Sequence, residues 1–388
     1  MNIKSLAIQV CAIVLSSCAL VPVAPVPTQL PWHDQAFDYD PTLVTVSKQD
    51  LFALDGEVLS TLRKARLEKA TAQARVSHLT TLLYGPNQNS KLKEFPYEAG
   101  RSTVAAETWK RGRGDCISLV VLAYSIAKTM DLPVKIQEVR VPYIFDRYGG
   151  IDYVAGHVNL LVKNGGRLQL VEGFGIGDVI IDFEPQIGSR REGPALSEDA
   201  ILARFYNNLA AEYMAKGNLN LAYAHFKAAI LADAGFSASY ANLALIYKRQ
   251  GLMQSAERML LHAITLNDED DIALRSLQQL LASQGREAEA SSYAKLLDAR
   301  RERNPYYWIG LGLNQLQKGN YPQAIYALEH AKDLTTRFEE VHRYLAIAYQ
   351  RNNNQDEAKK QASVLAELTR EDSGKAAISK KVTKGPVN

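Results

Sequence analysis

Three positions in this 388-residue sequence have the types and order for thiol chemistry: Cys116, His157, and an acid downstream, either Asp182 or Glu172. Cys116 stands in RGRGDCISLVVLAYSIA, where Leu119, Leu122, Ala123, Ile126 and Ala127 recur at helical spacing. Asp115 suits an N-cap, so the pattern predicts a helix that begins at the cysteine. There, unsatisfied backbone N–H groups and the positive dipole end favour thiolate over thiol. A thiolate that attacks an amide carbonyl also needs an acid for the leaving amine, and imidazole suits this near neutral pH. Of seven histidines, His33 falls in a proline-rich stretch, His78 in an early helical region, and His225, His262, His330 and His342 in the periodic C-terminal half. His157 alone begins a predicted strand in the cysteine's own domain. A carboxylate must then fix the imidazole tautomer. Glu172 would stand opposite His157 if a turn near Asn164-Gly165 closes a hairpin; Asp182 would follow on the next strand.

The elements that must position these groups can be read from pattern. Apolar residues Leu51, Leu54, Val58, Leu62 and Ala65 predict helices between Val46 and Leu83. After the cysteine's helix come short β-rich runs, VKIQEVRV, HVNLLV, LQLVE and DVIIDF, separated by turn signals. A helix leading into an antiparallel sheet describes an α+β domain over residues 46–195. Trp109 is placed either to line a cleft before the nucleophile or to serve as core. The backbone N–H of Cys116 is the natural oxyanion donor.

The stretch AAETWKRGRGDCISLVVLAYSIAKTMDLPVKIQEV, followed by HVNLLV and IIDFEP, resembles the transglutaminase-like cysteine-enzyme family, whose fold is papain-related. The resemblance spans about residues 103–185. It implies Cys116 as nucleophile, His157 as base and Asp182 as the orienting acid, in preference to Glu172. The sequence departs from the family pattern at Val158, where an aromatic residue is common, and in a longer interval between His157 and Asp182. It also resembles the bacterial branch in which helical repeats follow such a domain.

From Ser197 onward the pattern is different. Gly217, Gly251, Gly285 and Gly319 are each 34 positions apart, and a fifth step lands on Asn353. Ala222, Ala256, Ala290, Ala324 and Ala358 keep the same step, as do Leu209, Leu243, Leu277, Leu311 and Leu345. This is the tetratricopeptide signature: five helical hairpins over residues 197–371, an all-α solenoid that buries its apolar faces by stacking and offers a surface to a protein or peptide partner. The third repeat is the weakest match, with Gln278 at a small-residue position. The polar tail, residues 372–388, is predicted to be disordered.

The N-terminus MNIKSLAIQVCAIVLSSC reads as a secretory signal, residues 1–17, ending in a segment that resembles the lipobox of bacterial lipoproteins. Lipid on Cys18 would anchor the chain in the cell envelope, and Ala19 resembles an outer-membrane address facing the periplasm. The proline-rich residues 18–45 then predict an extended tether. With Cys11 removed and Cys18 blocked, Cys116 is left as a lone thiol in an oxidising compartment, which favours use over structure.

A net charge of +3 gives no field for nucleic acid. GFGIGD from Gly173 has the wrong glycine spacing for a dinucleotide loop, NDEDD from Asn267 lacks the glycine of a calcium loop, and no metal or nucleotide motif occurs, so no cofactor is expected. Two functions follow: a membrane-anchored thiol peptidase, amidase or transamidase, or an inactive lipoprotein scaffold that works through its repeats.

Overall fold

A computed structural model describes residues 30–85, 95–98, 100–139, 146–148, 151–153, 157–163, 178–183, 193–334 and 339–382. The signal, Cys18, Glu172, the turn at Asn164-Gly165 and the loop from Gly173 to Gly177 lie outside the described residues.

Three short helices, α1 (Lys48–Phe52), α2 (Gly56–Lys64) and α3 (Ala72–Tyr84), precede α4 (Ala105–Arg111) and α5 (Cys116–Thr129). Each of α1, α2, α3 and α5 is capped by a Ser, Asp or Thr side chain that accepts a backbone N–H of its first turn. Helix α5 is apolar on nearly all sides, which marks a central helix, and it is buried along almost its whole length. It packs on an antiparallel sheet of strands β1 (Val134–Val139), β4 (His157–Val162), β5 (Val179–Ile181) and β6 (Ala195–Leu196), ordered β5-β4-β1-β6. Strands β2 (Asp146–Tyr148) and β3 (Ile151–Tyr153) pair separately. Strand β4 is covered on both faces, as an inner strand should be.

At Leu160–Val162 both edges of β4 are taken, by Val134–Ile136 of β1 and by Val179–Ile181 of β5. A strand has only two edges. Along this stretch the edge of β4 away from β1 is held by the segment that ends in Asp182.

Helices α6 (Glu198–Ala215) to α15 (Gln355–Val382) form five antiparallel hairpins: α6 with α7 (Leu219–Ala232), α8 (Ser237–Arg249) with α9 (Met253–Leu266), α10 (Asp271–Ser283) with α11 (Glu287–Glu302), α12 (Pro305–Gln317) with α13 (Tyr321–Leu334), and α14 (Glu339–Arg351) with α15. This is the tetratricopeptide solenoid expected from the 34-residue period. Gly217, Gly251, Gly285 and Gly319 sit just past the first helix of their hairpins with φ of 77°, 74°, 75° and 76°. Asn353, the fifth step, holds the same left-handed conformation at 59°. Gly and Asn tolerate that region best, which explains the period. The last helix runs on to Val382, past Asp372 where composition predicts disorder; Lys375, Ala376, Ala377, Lys380 and Lys381 are good helix formers.

The N-terminal segment differs from a free tether. Residues 30–43 lie across α7, α8 and α9, and Phe37 is wholly buried, stacked on Tyr223 at 4.4 Å between ring centroids. Tyr223 Oη donates to Asp34 (2.7 Å), Lys227 Nζ pairs with Asp34 (2.7 Å) and lies over the Tyr39 ring, and Tyr247 Oη donates to the Pro31 carbonyl (2.7 Å). Aromatic and acidic side chains within the proline-rich run supply this seat, a signal that its overall composition hides.

No linker separates sheet from solenoid. Leu196 pairs with Ile136 of β1, Ser197 caps α6 at once, and Ile201, Leu202, Phe205 and Tyr206 of α6 share the core of α5 and β4. Arg204 of α6, 7% exposed, donates to Glu138 at the end of β1 (2.6 Å).

Candidate functional site

The cysteine lies where its sequence predicts, as the first residue of α5. Asp115 is the N-cap: its Oδ1 accepts the Ser118 backbone N–H (2.8 Å) and the Ser118 hydroxyl (2.6 Å). Ser118 Oγ in turn accepts the Thr103 backbone N–H at 2.8 Å, which ties the segment before α4 to the first turn of α5. Gly114 is required here by close approach, since a Cβ would stand 2.8 Å from Ser118 Cβ and 3.3 Å from Thr108 Cγ2. The Gly-Asp-Cys run thus has one physical reading: a glycine that lets the loop reach the helix, a cap that starts the helix, and a sulfur in its first turn.

Cys116 is 7% exposed and is not in a disulfide. It shares the core cluster with Val158, the residue after His157. His157 opens β4, and its Nε2 lies 2.8 Å from Asp182 Oδ1, just beyond β5. Both side chains are nearly buried. With Nε2 committed to the carboxylate, Nδ1 is the ring nitrogen left for proton exchange. Val158, Leu160 and Val162 of β4 share the core cluster of α5, and His157 stands at the strand end where β4 begins.

The structure thus brings His157 and Asp182 together and places Cys116 on the adjoining core; Glu172 and Cys18 lie outside the described residues. Trp109 is partly buried against that core, its ring 5.6 Å from Phe95, which fits packing better than an open cleft wall.

Several residues around the site carry no local sequence signal. Tyr84, at the end of α3, donates from Oη to the Asp182 carbonyl (3.1 Å), and its ring lies 5.5 Å from Phe183. Burial pushes its hydroxyl up to about 12, so Tyr84 remains a donor at neutral pH. Ser102 donates from Oγ to Asp115 and from its backbone N–H to Glu212 Oε1 (2.8 Å). Asn208 Nδ2 donates to Asp115 Oδ2 at 3.3 Å. Asn208 and Glu212 belong to α6, the first helix of the solenoid. Burial pushes the Glu212 carboxyl up, offset in part by the Ser102 N–H and by Lys216 and Arg101, while Asp115 adds to the rise.

Among the described residues, no group of three or more His, Cys, Asp or Glu could hold a metal ion. None of the described helices is long and apolar enough to cross a membrane.

A family model described as tetratricopeptide repeat matches residues 203–236 and 237–270, the first two hairpins. The chain is similar to YrrB, described as a TPR protein with an unusual peptide-binding site, at 16% identity over 43% of this chain and 86% of that one, with a TM-score of 0.25. It is also similar to MamA from Desulfovibrio magneticus RS-1 (17% identity, 44% and 96% covered, TM-score 0.25). A third similar structure is pilF of Pseudomonas aeruginosa (19% identity, 44% and 78% covered, TM-score 0.26). No curated protein matches the sequence.

Proposed function

We propose that residues 46–195 form a transglutaminase-like thiol domain that cleaves an amide in a protein or peptide held by the repeats. The observation that carries this reading is the 2.8 Å contact between His157 Nε2 and Asp182 Oδ1 beside a helix that starts at Cys116. Asp182 keeps the proton on Nε2, so Nδ1 takes the thiol proton. The Cys116 sulfur adds to the amide carbonyl, and the oxyanion is met by the backbone N–H of Cys116, the first residue of α5. The C–N bond breaks as His157 returns the proton to the amine, leaving an acyl-thioester. Water, deprotonated by His157, then adds to the thioester, and the sulfur departs as thiolate and recovers the proton. Water is always at hand, so hydrolysis is the reaction proposed; an amine acceptor would make the same site a transamidase. A peptide-library screen that compares the wild type with C116A tests this: cleavage lost in C116A supports it, and no cleavage by either enzyme counts against it.

The address belongs to the same proposal. Residues 1–17 act as a secretory signal and Cys18 carries lipid, which holds the body at the periplasmic face of the outer membrane. Mass spectrometry of the N-terminus extracted from membranes checks this, and an unmodified residue other than Cys18 at that end would refute it.

The burial of Cys116 favours a second reading, a lipoprotein adaptor that acts through its repeats with no turnover. An adaptor keeps full partner binding and cellular function in C116A.

A further inference from the structure

The cap that starts the cysteine's helix is held from two sides. Asp115 is 5% exposed, and its two oxygens receive the Ser118 backbone N–H, the Ser118 hydroxyl, the Ser102 hydroxyl and Asn208 Nδ2. Two of the groups that fix this arrangement come from the solenoid: Asn208 binds Asp115 directly, and Glu212, one turn further along α6, accepts the Ser102 backbone N–H at 2.8 Å. A hairpin that served only to bind a partner would have no need to send polar side chains into this loop. The apolar contacts of Ile201, Leu202 and Phe205 with the core of α5 already join the two parts.

We propose that Asn208 and Glu212 are positioning residues for Cys116: by fixing Asp115 and Ser102 they hold the first turn of α5, and with it the sulfur, in its reactive setting. The first repeat is then part of the enzymatic site as well as of the binding solenoid. This inference rests on the thiol reading above. Geometry at this level matters because displacement of a reacting group by about 1 Å can cost on the order of a hundredfold in rate.

The test is the rate of iodoacetamide alkylation of Cys116 in the purified full-length chain, followed on the Cys116 peptide by mass spectrometry, for the wild type, N208A, E212A and E212Q. The glutamine keeps an acceptor for the Ser102 N–H and the alanine does not. Expected are losses of about tenfold or more in N208A and E212A at temperatures where both remain folded, with the rate restored in E212Q. S102A, which removes the shared hydroxyl, should behave like N208A and guards against a variant that fails to fold. If N208A, E212A and S102A alkylate at the wild-type rate while that rate exceeds the rate of free cysteine, this inference fails and the thiol reading stands. If the wild type itself reacts no faster than free cysteine, both fall.

Discussion

His157 and Asp182 are 25 positions apart in the chain and 2.8 Å apart in the fold. The antiparallel pairing of β5 on β4, with Ile181 opposite Leu160, delivers the aspartate to the end of the strand that the histidine begins. Tyr84 then fixes the aspartate's carbonyl from α3. On this arrangement D182A leaves the imidazole free to turn, and turnover on any amide cleaved by the wild type should fall about a hundredfold or more. Steady-state kinetics with circular dichroism as the folding control will show it. An unchanged kcat/KM would reduce Asp182 to a tie for the strand end.

The half-buried carboxyl of Glu212 gives a pH-dependent prediction. Burial is the main force raising its pKa, Asp115 adds to it, and the Ser102 N–H, Lys216 and Arg101 oppose it. A carboxyl whose folded pKa lies above its unfolded value contributes fully only below that unfolded value, and the contribution is lost as pH rises through the folded pKa. E212Q keeps the hydrogen bond without the charge. Its melting temperature should exceed that of the wild type at pH 7, and the gap should close by about pH 4. A gap that persists unchanged at pH 4 would contradict this account of Glu212.

Phe37 tests whether the N-terminal segment is seated or loose. Its ring is buried against Tyr223, so F37A should cost about 3–5 kcal/mol of unfolding free energy in the unit it packs on. Limited proteolysis should cut near residues 30–43 faster in F37A than in the wild type. A variant with wild-type stability and protection would restore the free tether that composition suggests.

Packing within the fourth hairpin offers another check. A Cβ at Gly312 would stand 2.6 Å from Leu328 Cγ and 2.9 Å from its Cδ2, with the Ala324 carbonyl at 3.4 Å. Overpacking of this kind costs about 1–3 kcal/mol, so G312A should lower the urea midpoint. Ala210, Ala244 and Ala346 hold the equivalent position in three other repeats, so the cost rests on the close approach of Leu328 alone, and an unchanged midpoint would show that Leu328 can turn aside.

The solenoid was legible because its signal is periodic: four glycines and Asn353 mark the same left-handed turn, and a repeated conformation leaves a repeated residue. The start of α5 was legible because a cap, a glycine and an apolar helix are local features, all within a few residues of Cys116. The contact of Asp182 with His157 was harder to read, since it turns on which segment pairs with β4, a non-local matter. The contacts of Asn208 and Glu212 with the cysteine loop were invisible for the same reason. They join positions about a hundred residues apart, and nothing in the α6 sequence marks those two polar residues as different from solvated ones.

The most direct test of the central claim is the alkylation rate of Cys116 at pH 6, measured on the intact chain beside free cysteine and beside H157A. A sulfur ionised by the start of α5 and served by His157 should react faster than free cysteine, and H157A should abolish most of that advantage. A thiol that reacts no faster than free cysteine, with no effect of H157A, would contradict the enzyme and leave a repeat adaptor.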